Sequence, residues 1–146
     1  MRFSTTQPFS TKEWSGISPS DIDMLHARSI LEDRIDLTSS TLVRLAAIFS
    51  ILMNETHHSS GIPTDEIQNA SPIKTYEMMS TGQARGWCGN YAVMFYLFAN
   101  AADITTRLVD IAGKFGRLKL TGHYVCECWI PDHATWCFVD PQGWPM

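Results

Sequence analysis

The chain has 146 residues, of which 45% are hydrophobic and 18% charged, and its formal net charge at neutral pH is −4. That size and composition suit one domain with a substantial core. The acidic balance sets nucleic acid aside as a partner, because phosphate-backbone binders concentrate Lys and Arg; no apolar run reaches the ~18 residues that span a bilayer, which sets the membrane aside as well.

Residues 1–17 mix Ser, Thr, Gln and Pro with Phe3, Phe9 and Trp14. They read as an arm, either pinned to the body by its aromatics or left as a tail, in front of a domain expected over 18–146. The same stretch has no apolar segment followed by a small-residue cleavage site, so no secretory signal is expected and the cytoplasm is the expected location.

From Ser18-Pro19-Ser20-Asp21 the capping chemistry predicts a helix with Met24, Ala27, Leu31 and Ile35 on one stripe, ending near Asp36. A second helix starts around residues 38–40 and carries Leu42, Leu45, Ala46, Phe49, Leu52 and Met53 at helical spacing. His57-His58 at its end read either as a metal site or base, or as an exposed helix terminus whose imidazoles suit the last carbonyls. Residues 59–72, punctuated by Gly61, Pro63 and Pro72, form a long connection with at most one helical turn. A short helix over about 73–80 then leads into the Gly-bounded loop 81–86.

Next comes Arg85-Gly86-Trp87-Cys88-Gly89-Asn90-Tyr91-Ala92, followed without a break by the apolar run from Val93 to Ala102. Apolar residues on nearly every face predict a central helix covered all round. A cysteine at the head of such a helix meets unpaired backbone N–H groups and the positive end of the dipole, which favour a thiolate nucleophile. Taken alone, Cys88 reads equally as a small buried residue. The chain continues with a strand over 104–112, a turn at Gly113-Lys114-Phe115-Gly116, a strand over 118–130 with a break available at Gly122, a turn at Pro131-Asp132 and a returning strand over 136–140 stopped by Pro141.

His123 and Asp140 supply what an activated thiol needs, an imidazole and a carboxylate that fixes its tautomer, provided both lie on one face of the hairpin. A register that sets His123 opposite Asp140 also sets Val125 opposite Phe138, Glu127 opposite Trp136, and Cys126 opposite Cys137 on the reverse face. A shift by two, with a bulge near Ala134, keeps both residues on the same face; a slip by one separates them. The four cysteines, 88, 126, 128 and 137, are expected to be reduced, and Cys126-Glu127-Cys128 is C-x-C without a second close pair, so no metal is expected.

The segments GWCGNYAVMFYLFANAADITTRLVD, GHYVCECWI and TWCFVDPQG resemble the transglutaminase-like superfamily of papain-related cysteine enzymes over about residues 82–143. The matching features are Gly-x-Cys-Gly ahead of an apolar helix, Ile-x-x-Arg at the next strand, His-x-x-x-Glu, and Trp-x-x-x-Asp-Pro. Asp103 stands where many relatives have Gly, which a left-handed Asp cap accommodates. The resemblance implies an α+β fold, with N-terminal helices and a cysteine-bearing helix packed on a small antiparallel sheet. It implies Cys88 as nucleophile, His123 as general base and acid, and Asp140 as orienter. The Cys88 backbone N–H would be one oxyanion donor, with Gln83 or Trp87 as the second. The expected reaction is acyl transfer through a thioester on an amide of a peptide or protein substrate, with proteolysis or deamidation ahead of cross-linking, and it uses no cofactor. Two alternatives stand beside it. Cys-Gly-x-x-Ala with His-x-x-x-Glu is also similar to the core of cytosolic peptide N-glycanases, whose paired C-x-x-C zinc site this chain lacks, and a non-catalytic binding or assembly module can keep the same fold.

Overall fold

The computed structural model describes residues 18–111, 114–115, 118–119 and 122–143. The expected arm at residues 1–17, and Gly113 and Gly116 of the expected turn, lie outside them. Helix α1 spans Ile22–Glu32, and Asp21 caps it by accepting from the Asp23 N–H at 2.9 Å. Met24, Ala27 and Leu31 are buried as their spacing predicts. The helix stops short of Asp36, whose carboxylate accepts from the Thr38 N–H at 2.8 Å and turns the chain toward the next element.

Helix α2 spans Thr41–Thr56 and is capped by the Ser40 hydroxyl. Its inward face differs from the expected one. Leu45, Ile48 and Leu52 are buried, whereas Leu42 is 47% exposed and Ala46 is exposed. The helix is apolar around more than half of its circumference, so spacing alone left open which arc meets the core. The connection 59–71 contains one 3-10 turn, Asp65–Ile67. Helix α3, Pro72–Ser80, starts with Pro at its first position and the Ser71 hydroxyl as cap.

Helix α4, Cys88–Ala101, is the centre of the molecule and touches α1, α2, α3 and two strands. Ala92, Met94, Phe95, Leu97, Phe98 and Ala99 are completely buried, so its head is anchored by a body packed over most of its circumference, with Val93, Tyr96 and Asn100 partly exposed along one stripe. Its far end is closed by Asp103 in the left-handed region, φ 58°, and by Arg28, whose guanidinium donates to the Ala101 carbonyl at 3.1 Å and to Asp103 at 2.8 Å.

Strands β1 (Thr106–Ile111), β4 (His123–Ile130) and β5 (Thr135–Val139) form an antiparallel sheet in the order β1-β4-β5. Between β1 and β4, β2 (Lys114–Phe115) and β3 (Leu118–Lys119) pair with each other in a separate two-stranded sheet. The expected single strand over 118–130 is therefore two, and Lys114 and Phe115 belong to a strand and not to a turn. The break falls at Gly122, where a Cβ would lie 2.3 Å from the Asp110 carboxylate. Cys126, Cys128 and Ile130 face α4, and the Cys126 thiol donates to the Ala92 carbonyl at 3.3 Å.

The β4–β5 register is shifted by two from the directly opposed one. Cys126 pairs with Val139, Glu127 with Phe138, Cys128 with Cys137 and Trp129 with Trp136, so neither Cys126–Cys137 nor Glu127–Trp136 is a cross-strand pair. The cause is the loop. Pro131–His133 form a 3-10 turn whose twist does not suit a two-residue hairpin, and Ala134 closes it in the left-handed region at φ 44°. Because the shift is even, His123 and Asp140 stay on one face, as diagonal neighbours and not as an opposed pair.

Candidate active site

Three elements bring the candidate residues to one end of the sheet. His123 opens β4, Asp140 follows the last residue of β5, and Cys88 is the first residue of α4. The His123 Nε2–H donates to Asp140 Oδ2 at 2.8 Å, which leaves Nδ1 as the other ring nitrogen. Asp140 is itself held in place, because its Oδ1 accepts from the backbone N–H groups of Gln142 (3.1 Å) and Gly143 (3.0 Å). This Asx turn follows from Asp140-Pro141 and fixes which oxygen meets the imidazole.

The His123 imidazole is held above its ordinary pKa of 6.5. The hydrogen bond to Asp140 is the main cause, partial burial opposes it, and the Cys88 side chain adds to the rise as a hydrogen-bonding and charged neighbour. Cys88 and His123 are both partly accessible. Cys126 and Cys128 differ from them in kind: both are fully buried, burial pushes the Cys128 thiol up to about 12, and the Cys126 thiol is pushed up as well. All four cysteines stand as separate thiols.

The approach to Cys88 is held tightly. Loop 59–64 runs beside it: the Gly86 N–H donates to the Ser59 carbonyl (3.0 Å), the Gly61 N–H to the Gly86 carbonyl (3.1 Å) and the Thr64 N–H to the Arg85 carbonyl (3.3 Å). A Cβ on Gly86 would lie 2.7 Å from Asn90 Cβ and 2.8 Å from Met79 Sδ, so only glycine fits there without a shift. Asn90 Oδ1 accepts from the Trp87 N–H at 3.0 Å, the half of a capping box that ties the residue before the cysteine to the first turn. The Tyr91 hydroxyl donates to the Thr56 carbonyl at 2.9 Å and joins α4 to the end of α2. Sequence reading passed over Asn90 as a plain helix residue; its signal was its place three positions after the N-cap.

Of the two residues expected as second oxyanion donor, Trp87 is the N-cap of α4 and 50% exposed. Gln83 is an exposed residue of the loop after α3, anchored through its backbone N–H to the Met78 carbonyl at 2.8 Å. His57 and His58 lie in a 3-10 turn after α2, and His58 lies beside Gly82 at the root of that loop. Among the described residues no group of three or more His, Cys, Asp or Glu could hold a metal ion.

The remaining motif residues gather in one cluster. Arg107 of β1 pairs with Glu127 of β4, its Nε donating at 2.6 Å, and its guanidinium lies 4.3 Å from the Trp136 ring centroid on β5. Trp129 meets Trp136 edge to face at 5.5 Å. Ile-x-x-Arg, His-x-x-x-Glu and Trp-x-x-x-Asp thus each contribute a side chain that binds the three strands together.

The family model of the transglutaminase-like superfamily matches residues 32–141. The chain belongs to the transglutaminase-like superfamily, and its helices with a small antiparallel sheet form the α+β core expected of it. That superfamily generally comprises cysteine enzymes, which makes cysteine-based catalysis the class of activity to consider. No match was found among curated proteins or among solved structures. Among the described residues no helix is long and apolar enough to cross a membrane.

Proposed function

We propose that the protein is a cysteine hydrolase that attacks an amide carbonyl of a peptide or protein substrate, with proteolysis or deamidation preferred over cross-linking. The observation that carries this reading is the His123–Asp140 hydrogen bond, with Cys88 at the head of α4 next to the imidazole. In this reading Nδ1 of His123 takes the thiol proton as Cys88 Sγ bonds to the carbonyl carbon. Electrons move onto the carbonyl oxygen, and the Cys88 backbone N–H, free of the helical ladder at the first position, stabilises them. Gln83 or Trp87 serves as the second donor. When the tetrahedral species collapses, the C–N bond breaks and the amine leaves with the proton from His123. Water then gives a proton to Nδ1 and attacks the thioester, which releases the acid and restores the thiol. Asp140 keeps the ring oriented throughout.

Water is the acceptor in this reading because the site is partly accessible and no described residue around it selects lysine. The test is to incubate a complex peptide mixture with wild type or Cys88→Ala and compare products by mass spectrometry. New chain ends or deamidated side chains with the wild type alone support the reading. Identical peptides from both proteins, each shown to be folded by circular dichroism, would leave the binding-module alternative in its place.

A further inference from the structure

An open pocket of about 320 Å³ adjoins the head of α4, and two of its walls are Gly89 and Tyr124, the covalent neighbours of Cys88 and His123. Whatever fills it touches the residue that follows the cysteine in the chain. The other walls come from α4 itself (Val93), from the connection before α3 (Ile67) and from β1 (Leu108), with the side-chain amides of Gln68 and Asn90 beside them. Among the described residues that line it none is acidic, basic or histidine, although 26 residues of the chain are Asp, Glu, Lys or Arg (15 + 11). Burying an unpaired charge against such a lining is unfavourable, whereas an apolar side chain gains by leaving water. The volume is that of a small ligand site and holds one large side chain. Leu108 and Tyr124 are 40% and 45% exposed at its rim, apolar surface that a bound substrate would cover.

We infer that this pocket is the specificity subsite of the proposed hydrolase and selects a peptide with a large apolar residue, such as Leu, Met or Phe, within two positions of the attacked carbonyl. The inference rests on the cysteine hydrolase reading. The Gln68 and Asn90 amides supply hydrogen bonds to the peptide backbone, and the apolar walls take the side chain; an acidic residue at the same position is rejected because no described residue lining the pocket compensates its charge.

The test uses peptidyl chloromethyl ketones, in which the sulfur displaces chloride and forms a C–S bond, so labelling requires no knowledge of the natural substrate. Probes carry Leu, Phe, Gly or Asp at either of two positions preceding the ketone, and iodoacetamide serves as the reagent without a side chain. The expected result is labelling of Cys88 at least tenfold faster with Leu or Phe than with Asp, at one of the two positions. In Leu108→Glu or Tyr124→Glu, both at exposed rim positions, that ratio falls toward one once each peptide rate is divided by the same variant's iodoacetamide rate, which corrects for any change at the cysteine itself. Phe138→Glu, 57% exposed on β5 and outside the pocket, keeps the preference. Equal rates for all peptides with Cys88 still selectively labelled would overturn the pocket alone. Absence of selective labelling at Cys88 by any reagent would overturn the pocket and the hydrolase reading together.

Discussion

Replacing Gly86 by alanine probes the packing that holds the cysteine in place, and Gly89, three residues on, supplies the control with the opposite sign. A Cβ on Gly86 would press on Asn90 Cβ at 2.7 Å and on Met79 Sδ at 2.8 Å. Neither neighbour can yield freely, because Met79 is completely buried and Asn90 is held by its bond to the Trp87 N–H. Overpacking of that kind costs about 1–3 kcal/mol. At Gly89 the nearest atom to an added Cβ is Tyr124 Cδ2 at 3.7 Å, an ordinary contact. There the substitution replaces a helical glycine and gains up to about 1 kcal/mol, less because it lies in the first turn. Urea unfolding followed by tryptophan fluorescence measures both. With a slope of about 2 kcal/mol/M, Gly86→Ala should lower the midpoint by roughly 0.5–1.5 M at unchanged slope, and Gly89→Ala should leave it level or raise it. A Gly86→Ala midpoint at or above the wild type, or equal midpoints for the two variants, would refute the packing argument.

The raised His123 pKa gives a second expectation: in an NMR titration its imidazole midpoint lies above the ordinary 6.5, falls most in Asp140→Asn and less in Cys88→Ser, following the order of the causes. Because the folded value is raised, the stabilisation from this contact is complete below the unfolded value and is lost as pH rises through the folded one. Thermal melts should therefore show a larger advantage of wild type over His123→Gln at about pH 5.5 than at about pH 9. Thiol counting with a chromogenic disulfide should find Cys88 and Cys137 reacting in the native protein, with Cys126 and Cys128 silent until denaturant is added; prompt reaction of all four would contradict their burial. Arg28→Ala, which removes the donor to the Ala101 carbonyl and the exposed ion pair with Asp103, should cost about 1 kcal/mol in the same unfolding assay.

Most of the fold was legible because its elements carry strong local signals. The all-round apolar run after Cys88 marked the central helix, capping residues marked α1, and Asp103 took the left-handed cap its sequence position suggested. Where reading failed, the physics was non-local or carried by an unusual residue. The hairpin closes on Ala134 at φ 44°, a conformation that Gly or Asn would have announced and Ala does not, so the two-residue shift could be weighed but not chosen. On α2 the excess of apolar residues hid the true inward arc, which the packing against α4 selects. Parity was the property that mattered for the site. Both registers leave His123 and Asp140 on one face, and their hydrogen bond forms diagonally. Gly86 and the Arg107–Glu127–Trp136 cluster act through contacts between elements, which spacing alone does not reveal.

The most direct measurement is the rate of Cys88 alkylation by iodoacetamide at about pH 6, read residue by residue by mass spectrometry in wild type, His123→Ala and Asp140→Ala. If the three side chains work as one unit, Cys88 reacts well ahead of Cys137 in the wild type and slows at least tenfold in His123→Ala, with Asp140→Ala in between. Equal rates at Cys88 in all three folded proteins, no faster than at Cys137, would contradict the account.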